Sequence, residues 1–242
     1  MRWVWRVLGV AYEEFVVFRR QWMWIAQWLM STVGIVAILA AWGGSEAARH
    51  MAVALLVAGG WGTGLNVAAQ RVGWDRIWYA YEKRVASPLT PAEYLLGALV
   101  GALVPTFLTE LPTAFAIAAL AGVSLGGLAL VLLLSIVGVL LGLFLALAVI
   151  LRIRNPVNIS AVTNPLQTLT TMLPPVFYSP AALPEPLRSA CAAVPTVALT
   201  DLGRALAGLP HTYPQWLSAA SVAAWLVGTL VLMKRKLNWG LE

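Results

Sequence analysis

Tyr81-Glu82-Lys83-Arg84-Val85-Ala86-Ser87-Pro88-Leu89-Thr90-Pro91-Ala92-Glu93-Tyr94-Leu95-Leu96-Gly97 is a short charged stretch between two long apolar ones. Of the 242 residues, 60% are hydrophobic and 11% charged, against about 25% charged in a soluble domain. The deficit is uniform along the chain, so it points to an integral membrane protein and not to a soluble domain with an anchor. The length fits a single membrane domain over 1–242, with no room expected for a separate catalytic domain. The net charge of +6 reads as orientation in a bilayer and not as nucleic-acid binding. Cys191 is the one cysteine, which excludes an intramolecular disulfide; it reads as a small buried apolar residue. The charge-studded N-terminus lacks the pattern of a cleavable signal peptide.

The pattern predicts an all-α polytopic protein of six spans. Residues 2–20 are too charged to cross. Arg2, Arg6, Glu13 and Arg20 recur at helical steps among Trp3, Val7, Val10 and Phe15. This is the signature of an amphipathic helix lying in the membrane interface, or else the extended start of the first span. Spans are expected near 21–42, 51–70, 95–120, 128–151, 159–178 and 216–233. A tight turn is expected at 43–50. Gly60 and Gly64 stand at the small-xxx-small spacing of close helix packing. They form no phosphate loop, since no Lys-Ser/Thr follows. The fifth expected span is more polar than the others and broken by Pro165, Pro174 and Pro175. Residues 179–215 hold six prolines with short apolar helices between them. Each piece falls short of the about 20 residues a span needs, so they are expected as re-entrant helices on the outer side.

Thirteen of the sixteen Lys and Arg fall at the N-terminus, at 71–94, at 152–154 and at 234–236; Arg49, Arg188 and Arg204 fall on the other face. That asymmetry predicts cytoplasmic termini and a cytoplasmic loop at 71–94.

Little in the sequence suggests an enzyme. His50 and His211 are far apart, with no metal-ligand spacing, and no nucleophile elbow is present. Glu110 is the one ionisable residue within the expected spans, and such a group is a functional candidate. It can line a polar path or couple to protons; it can also be a neutral, hydrogen-bonded side chain near the outer face. In the 71–94 loop, Pro88 and Pro91 force a break, and Ser87 or Thr90 can cap a helix. Trp74, Ile77, Trp78 and Tyr81 make an aromatic stripe on a short helix. Asp75, Arg76, Glu82, Lys83 and Arg84 are then expected to face the cytosol, with or without a partner there.

At this loop the chain resembles the ABC type-2 exporter permeases. Their loop after the second span reads Gly-Thr-Leu-Glu-Arg-Leu-Leu-x-Ser-Pro-Leu-Ser-x-x-Glu-Tyr-Leu-x-Gly. Glu82, Ser87, Pro88, Glu93 and Gly97 match it in register, while Tyr79-Ala80 replaces the usual Gly-Thr. A second match lies before the last span. It comprises Ser179-Pro180-Ala181-Ala182-Leu183-Pro184, Val194-Pro195-Thr196, and Asp201 followed by Arg204 and Gly208, with Val194 where the family has Asn.

The resemblance implies two permease copies, identical or related, above two ATP-binding subunits. Those subunits would grip Glu82, Lys83, Arg84, Ser87 and Pro88, with Arg76 beside them, and the N-terminal helix. This chain has no GxxxxGK[ST] sequence, so ATP and Mg would be bound and hydrolysed by the partner subunit. No cofactor is expected on the chain itself. Glu110, Asn164, Gln167, Thr168 and Thr171 would lie near the translocation path, and Asp201 and Arg204 in the outer segment. The expected location is the plasma membrane. The Trp- and Leu-rich spans suit an amphipathic small molecule, drug, lipid or glycolipid as cargo. Two other readings stay open: a proton-coupled secondary transporter centred on Glu110, and a non-transporting membrane scaffold.

Overall fold

The computed structural model describes residues 2–20, 22–77, 80–153 and 155–234, and every regular element among them is helical. Trp78, Tyr79, Arg154, Arg235 and Lys236, together with the side chains of Arg76, Tyr81 and Lys234, lie outside the described residues. Four helical runs are long and apolar enough to cross a bilayer: Ala40–Asp75, Pro91–Ala116, Leu125–Ile150 and Gln215–Met233. They cover the expected second and sixth spans and most of the third and fourth, which run to 120 and 151, and they make this a multi-pass membrane protein. The other two expected spans appear as shorter pieces. One is an apolar helix, Ile25–Ile38. The other is a 13-residue helix, Ile159–Thr171, which gives way to turns before Pro174 and Pro175.

Helix α1, Arg2–Arg20, buries Val7, Val10, Ala11 and Glu14, the 3–4 spacing of one helix face. Trp5 and Tyr12 stand exposed on the opposite side, and Trp3 and Phe15 are exposed as well. Helix α2, Trp22–Gly62, breaks at Gly44, where φ is 73° and ψ −178°. Only glycine enters that region without strain. The tight turn expected over 43–50 therefore narrows to one residue, and Ser45–His50 are helical. After α2 the chain widens into a π-helical stretch, Thr63–Ala68, then continues as α3, Ala69–Ile77, and α4, Ala80–Val85. Long helices α5, Pro91–Ala121, and α6, Leu125–Ile150, follow. Helix α7 is Ile159–Thr171, α8 Leu187–Cys191, α9 Pro195–Leu206 and α10 Gln215–Lys234.

Glycines set two close helix approaches. A Cβ added to Gly60 would strike the carbonyl oxygen of Ser135, and one on Gly64 that of Val139. Gly142 of α6 meets the Trp61 carbonyl in return. The expected Gly60/Gly64 packing is thus the α2–α6 seam, with Trp61, Leu65, Leu141 and Leu143 fully buried around it. On α5, added Cβ atoms at Gly97 and Gly101 would lie 2.5 Å from the Cβ atoms of Val10 and Glu14, which brings α1 onto the α5 backbone.

Pro105 and Pro112 sit inside α5 without ending it. Thr109 Oγ1 donates to the carbonyls of Pro105 (3.0 Å) and Thr106 (2.9 Å), and Thr113 Oγ1 to that of Thr109 (2.7 Å). Pro105 and Pro112 free the carbonyls of Gly101 and Leu108, four residues earlier. These threonine hydroxyls bond other carbonyls of the same helix and keep their own polar groups satisfied.

Gly64→Ala is expected to destabilise the folded protein by ~1–3 kcal/mol through overpacking. Gly228 has no atom within 4 Å of an added Cβ, so Gly228→Ala is expected to leave stability unchanged or raised. Thermal unfolding in lipid nanodiscs compares the two.

Candidate functional site

The charged end of the molecule is built on one carboxylate. Asp75 is 0% exposed. It accepts a hydrogen bond from the Tyr94 hydroxyl at 2.6 Å and lies 2.7 Å from Arg84 Nε and 3.4 Å from Arg71 Nε. Arg84 also donates from Nη2 to Glu13 at 2.8 Å and stacks over the Tyr94 ring, 5.1 Å from its centroid. Arg71 reaches Glu14 at 2.9 Å and Glu13 at 3.7 Å. Helices α1, α3, α4 and α5 therefore meet in a single ion-pair network. Asp75 and Arg84, expected to face the cytosol, are turned inward, because each finds opposite charge on a neighbouring helix. Glu82 and Lys83 remain exposed, as does Pro88. Among the described residues Glu82 has no ion-pair partner.

The loop's turn chemistry fixes the start of α5. Thr90 and Glu93 form a reciprocal capping box: Glu93 N–H donates to Thr90 Oγ1 (3.3 Å), and Thr90 N–H to Glu93 Oε2 (2.7 Å). Pro91 stands at the first helical position, where its missing N–H is harmless. Arg6 Nη1 donates to Glu93 Oε1 at 3.3 Å, a second tie from α1. Ser87 plays a different part from the expected helix start. Its hydroxyl donates to the Arg84 carbonyl (2.6 Å) and closes the turn after α4.

A second polar group lies deeper, where the π-helical stretch faces α7. Asn66 donates to Gln167. Gln70 Nε2 donates to Asn66 Oδ1 (3.1 Å) and Thr163 Oγ1 (2.7 Å), and Gln70 Oε1 accepts from Ser160 (3.4 Å). Trp61 Nε1 donates to Thr170 Oγ1 at 2.9 Å. Beside this seam opens a cavity of about 440 Å³, whose walls include Phe18, Trp28, Asn66, Gln70, Pro105 and Asn164. Of the expected path residues, Asn164 lines it and Gln167 belongs to the seam. Thr168 is exposed and donates to the Asn164 carbonyl (3.2 Å); Thr171 is buried and donates to that of Gln167 (2.8 Å). Both hydroxyls serve their own helix.

Glu110 does not line that cavity. It is 5% exposed, and Oε2 accepts from Ser135 Oγ at 2.7 Å. It borders a small adjoining crevice that shares Trp28, Thr63 and Thr109 with the cavity.

Asp201 and Arg204 stand apart, on α9. Asp201 accepts from the Thr212 and Tyr213 amides at 2.8 and 2.9 Å. Arg204 Nη2 donates to the Val176 carbonyl at 2.7 Å. Gly208, with φ 71°, closes α9: Leu209 N–H bonds the Arg204 carbonyl (2.8 Å) and Gly208 N–H that of Ala205 (3.1 Å). These three residues tie the 179–215 segment together.

Several site residues were not singled out from the sequence: Glu14, Arg71, Asn66 and Gln70, while Glu13 was read only as part of the charge pattern of residues 2–20. The available signal was pairing at i,i+4, amides at 66 and 70 within an apolar run and opposite charges at 71 and 75. Among the described residues no cluster of His, Cys, Asp and Glu can hold a metal. No protein-family model matches the chain, and no curated protein matches it in sequence.

Burial raises the Glu14 carboxyl from its usual 4.5 to about 7; Arg71 and Arg84 oppose this, while Asp75 and Glu13 add to it. A raised carboxyl holds its proton in the folded state after the unfolded chain has lost it. Glu14 therefore favours the folded state fully below about pH 4.5, and this contribution is lost as pH rises through about 7, a change of roughly 3 kcal/mol. Glu14→Gln is expected to flatten the fall of the thermal midpoint across that window; an unchanged slope would contradict the assignment.

Proposed function

We propose that this chain is the membrane subunit of an ATP-driven exporter similar to the ABC type-2 permeases. It moves an amphipathic small molecule, drug or lipid outward, with ATP and Mg handled by a separate subunit. The observation that carries this reading is the ion-pair network around Asp75. It joins the short helix bearing exposed Glu82 and Lys83 to α1, α3 and the start of α5. A push on the loop is thereby passed to a long apolar helix and to the amphipathic helix at once. A loop without a partner has no need of such bracing.

In this reading the chain crosses the plasma membrane six times, with 22–43 and α7 completing the count. Helix α1 lies in the interface, both termini are cytoplasmic, and 179–215 re-enters from the outer side. Asn164 and Thr168 on α7 are exposed in the single chain. Polar groups at membrane depth avoid lipid. This face therefore meets a second copy of the chain, or a related one, or the translocation path between them. The cavity beside Asn164 is of the size and mixed lining that small-molecule sites have, and it is the place proposed for cargo. One observation favours a second reading, a proton-coupled transporter: Glu110 Oε1 is buried without a hydrogen-bond partner.

Purification from native membranes in mild detergent tests the assignment. An ATP-binding-cassette subunit in near-equal amount supports it; a chain that stays alone after cross-linking overturns it. Glu82→Ala is expected to abolish cargo-stimulated ATP hydrolysis while the spans stay folded. Unchanged stimulation in that variant would contradict the role given to the loop.

A further inference from the structure

The lining of the cavity says what kind of cargo it takes. Thr63, Thr106 and Thr109 line it, and each hydroxyl donates to a carbonyl of its own helix: to Gly59 (3.0 Å), Ala102 (2.8 Å) and Pro105 (3.0 Å). A hydroxyl whose proton is spent turns lone pairs outward and can only accept. Ser160 likewise donates to Gln70 Oε1 (3.4 Å). The aromatic side chains of Phe18 and Trp28 also line it. In the adjoining crevice Glu110 is 5% exposed, and its Oε1 has no hydrogen-bond partner. Gly59 leaves that oxygen room: a Cβ there would come within 3.0 Å of it. The threonine lone pairs, the aromatic side chains and the half-partnered carboxyl suit a donor-bearing cation, while the amides of Asn66, Gln70 and Asn164 on the same wall carry donors as well as acceptors.

We propose that the cavity recognises a cationic amphiphile, a protonated amine on an aromatic or aliphatic body. The body lies against Phe18 and Trp28, and the ammonium group points towards Thr63, Thr109 and the free oxygen of Glu110. The inference rests on the reading that this cavity holds cargo. An unpaired buried oxygen is costly to leave unmade, and an ammonium donor supplies the missing partner. Trp28, Thr63 and Thr109 border both cavity and crevice, so a ligand seated in the cavity has its ammonium group beside the crevice that Glu110 borders.

The test uses the full chain in nanodiscs of zwitterionic phosphatidylcholine, which removes bulk charge attraction. Two probes of matched size are titrated calorimetrically: 2-(1-naphthyl)ethylammonium and 1-naphthaleneacetate. Saturable binding of the ammonium and weaker binding of the carboxylate are expected. Glu110→Gln should weaken ammonium binding about tenfold, the value of one charge-assisted hydrogen bond. Thr109→Val, which removes an acceptor and keeps the shape, should weaken it less and serves if the Gln variant fails to fold. Ser135→Ala frees the second carboxyl oxygen and should retain or tighten binding. Equal or tighter binding of the carboxylate, or ammonium binding indifferent to both Glu110→Gln and Thr109→Val, would overturn the proposal. Recovery of an ATP-binding subunit is scored separately on chain purified from native membranes. A subunit present with charge-blind binding removes this inference alone; selective ammonium binding without the subunit keeps it and removes the exporter.

Discussion

The charged end of the molecule depends on the Asp75 carboxylate. It is wholly buried, and it satisfies Tyr94, Arg84 and Arg71 together. Charges in such a place are stable only when paired and hydrogen-bonded. Removing one member leaves the others uncompensated. The network is therefore stiff: the four helices it joins cannot part without stranding a buried charge. Glu13 and Glu14 extend it to α1, and the Arg6–Glu93 contact closes a second loop around the start of α5.

The bilayer-spanning part is held differently. Gly60, Gly64 and Gly142 let backbones touch along the α2–α6 seam, where apolar surface against lipid gains little and close packing decides. The π-helical stretch at Thr63–Ala68 lies in the same region. One side of it packs at Gly64 against α6, while Asn66 carries amide chemistry towards α7 and the cavity. π-bulges often accompany functional sites, and this one separates the tight seam from the polar cavity within a single turn. The far end is quieter. Asp201, Arg204 and Gly208 satisfy backbone groups of a proline-rich segment that has few ladder bonds of its own.

Much of the fold was legible. Apolar runs of spanning length, the Gly60/Gly64 spacing and the Thr90–Glu93 cap follow from local rules, and the structure contains them. Boundaries were less so: the turn at 43–50 shrinks to Gly44, since one glycine of positive φ suffices. The pairing of charges was legible least. Arg84 meets Glu13, seventy-one residues away, and no local pattern announces that distance. For the same reason Asp75 read as a solvent-facing acid, although Arg71 four residues before it was a hint. Glu110 was legible as an anomaly within a span. The acceptor-rich lining beside it was not, because it depends on which carbonyl each threonine hydroxyl has taken.

The account's central claim is that the loop tip, α1 and the start of α5 move as one body through Asp75 and Arg84. Spin labels at Lys83 and Trp5, both exposed, test it in a chain with Cys191 replaced by serine. Pulsed electron resonance gives the distribution of distances between them. The account predicts one narrow distribution in the otherwise native chain and a broad one after Arg84→Ala. A distribution equally narrow in both would show that the tip is held without the network and would contradict the account.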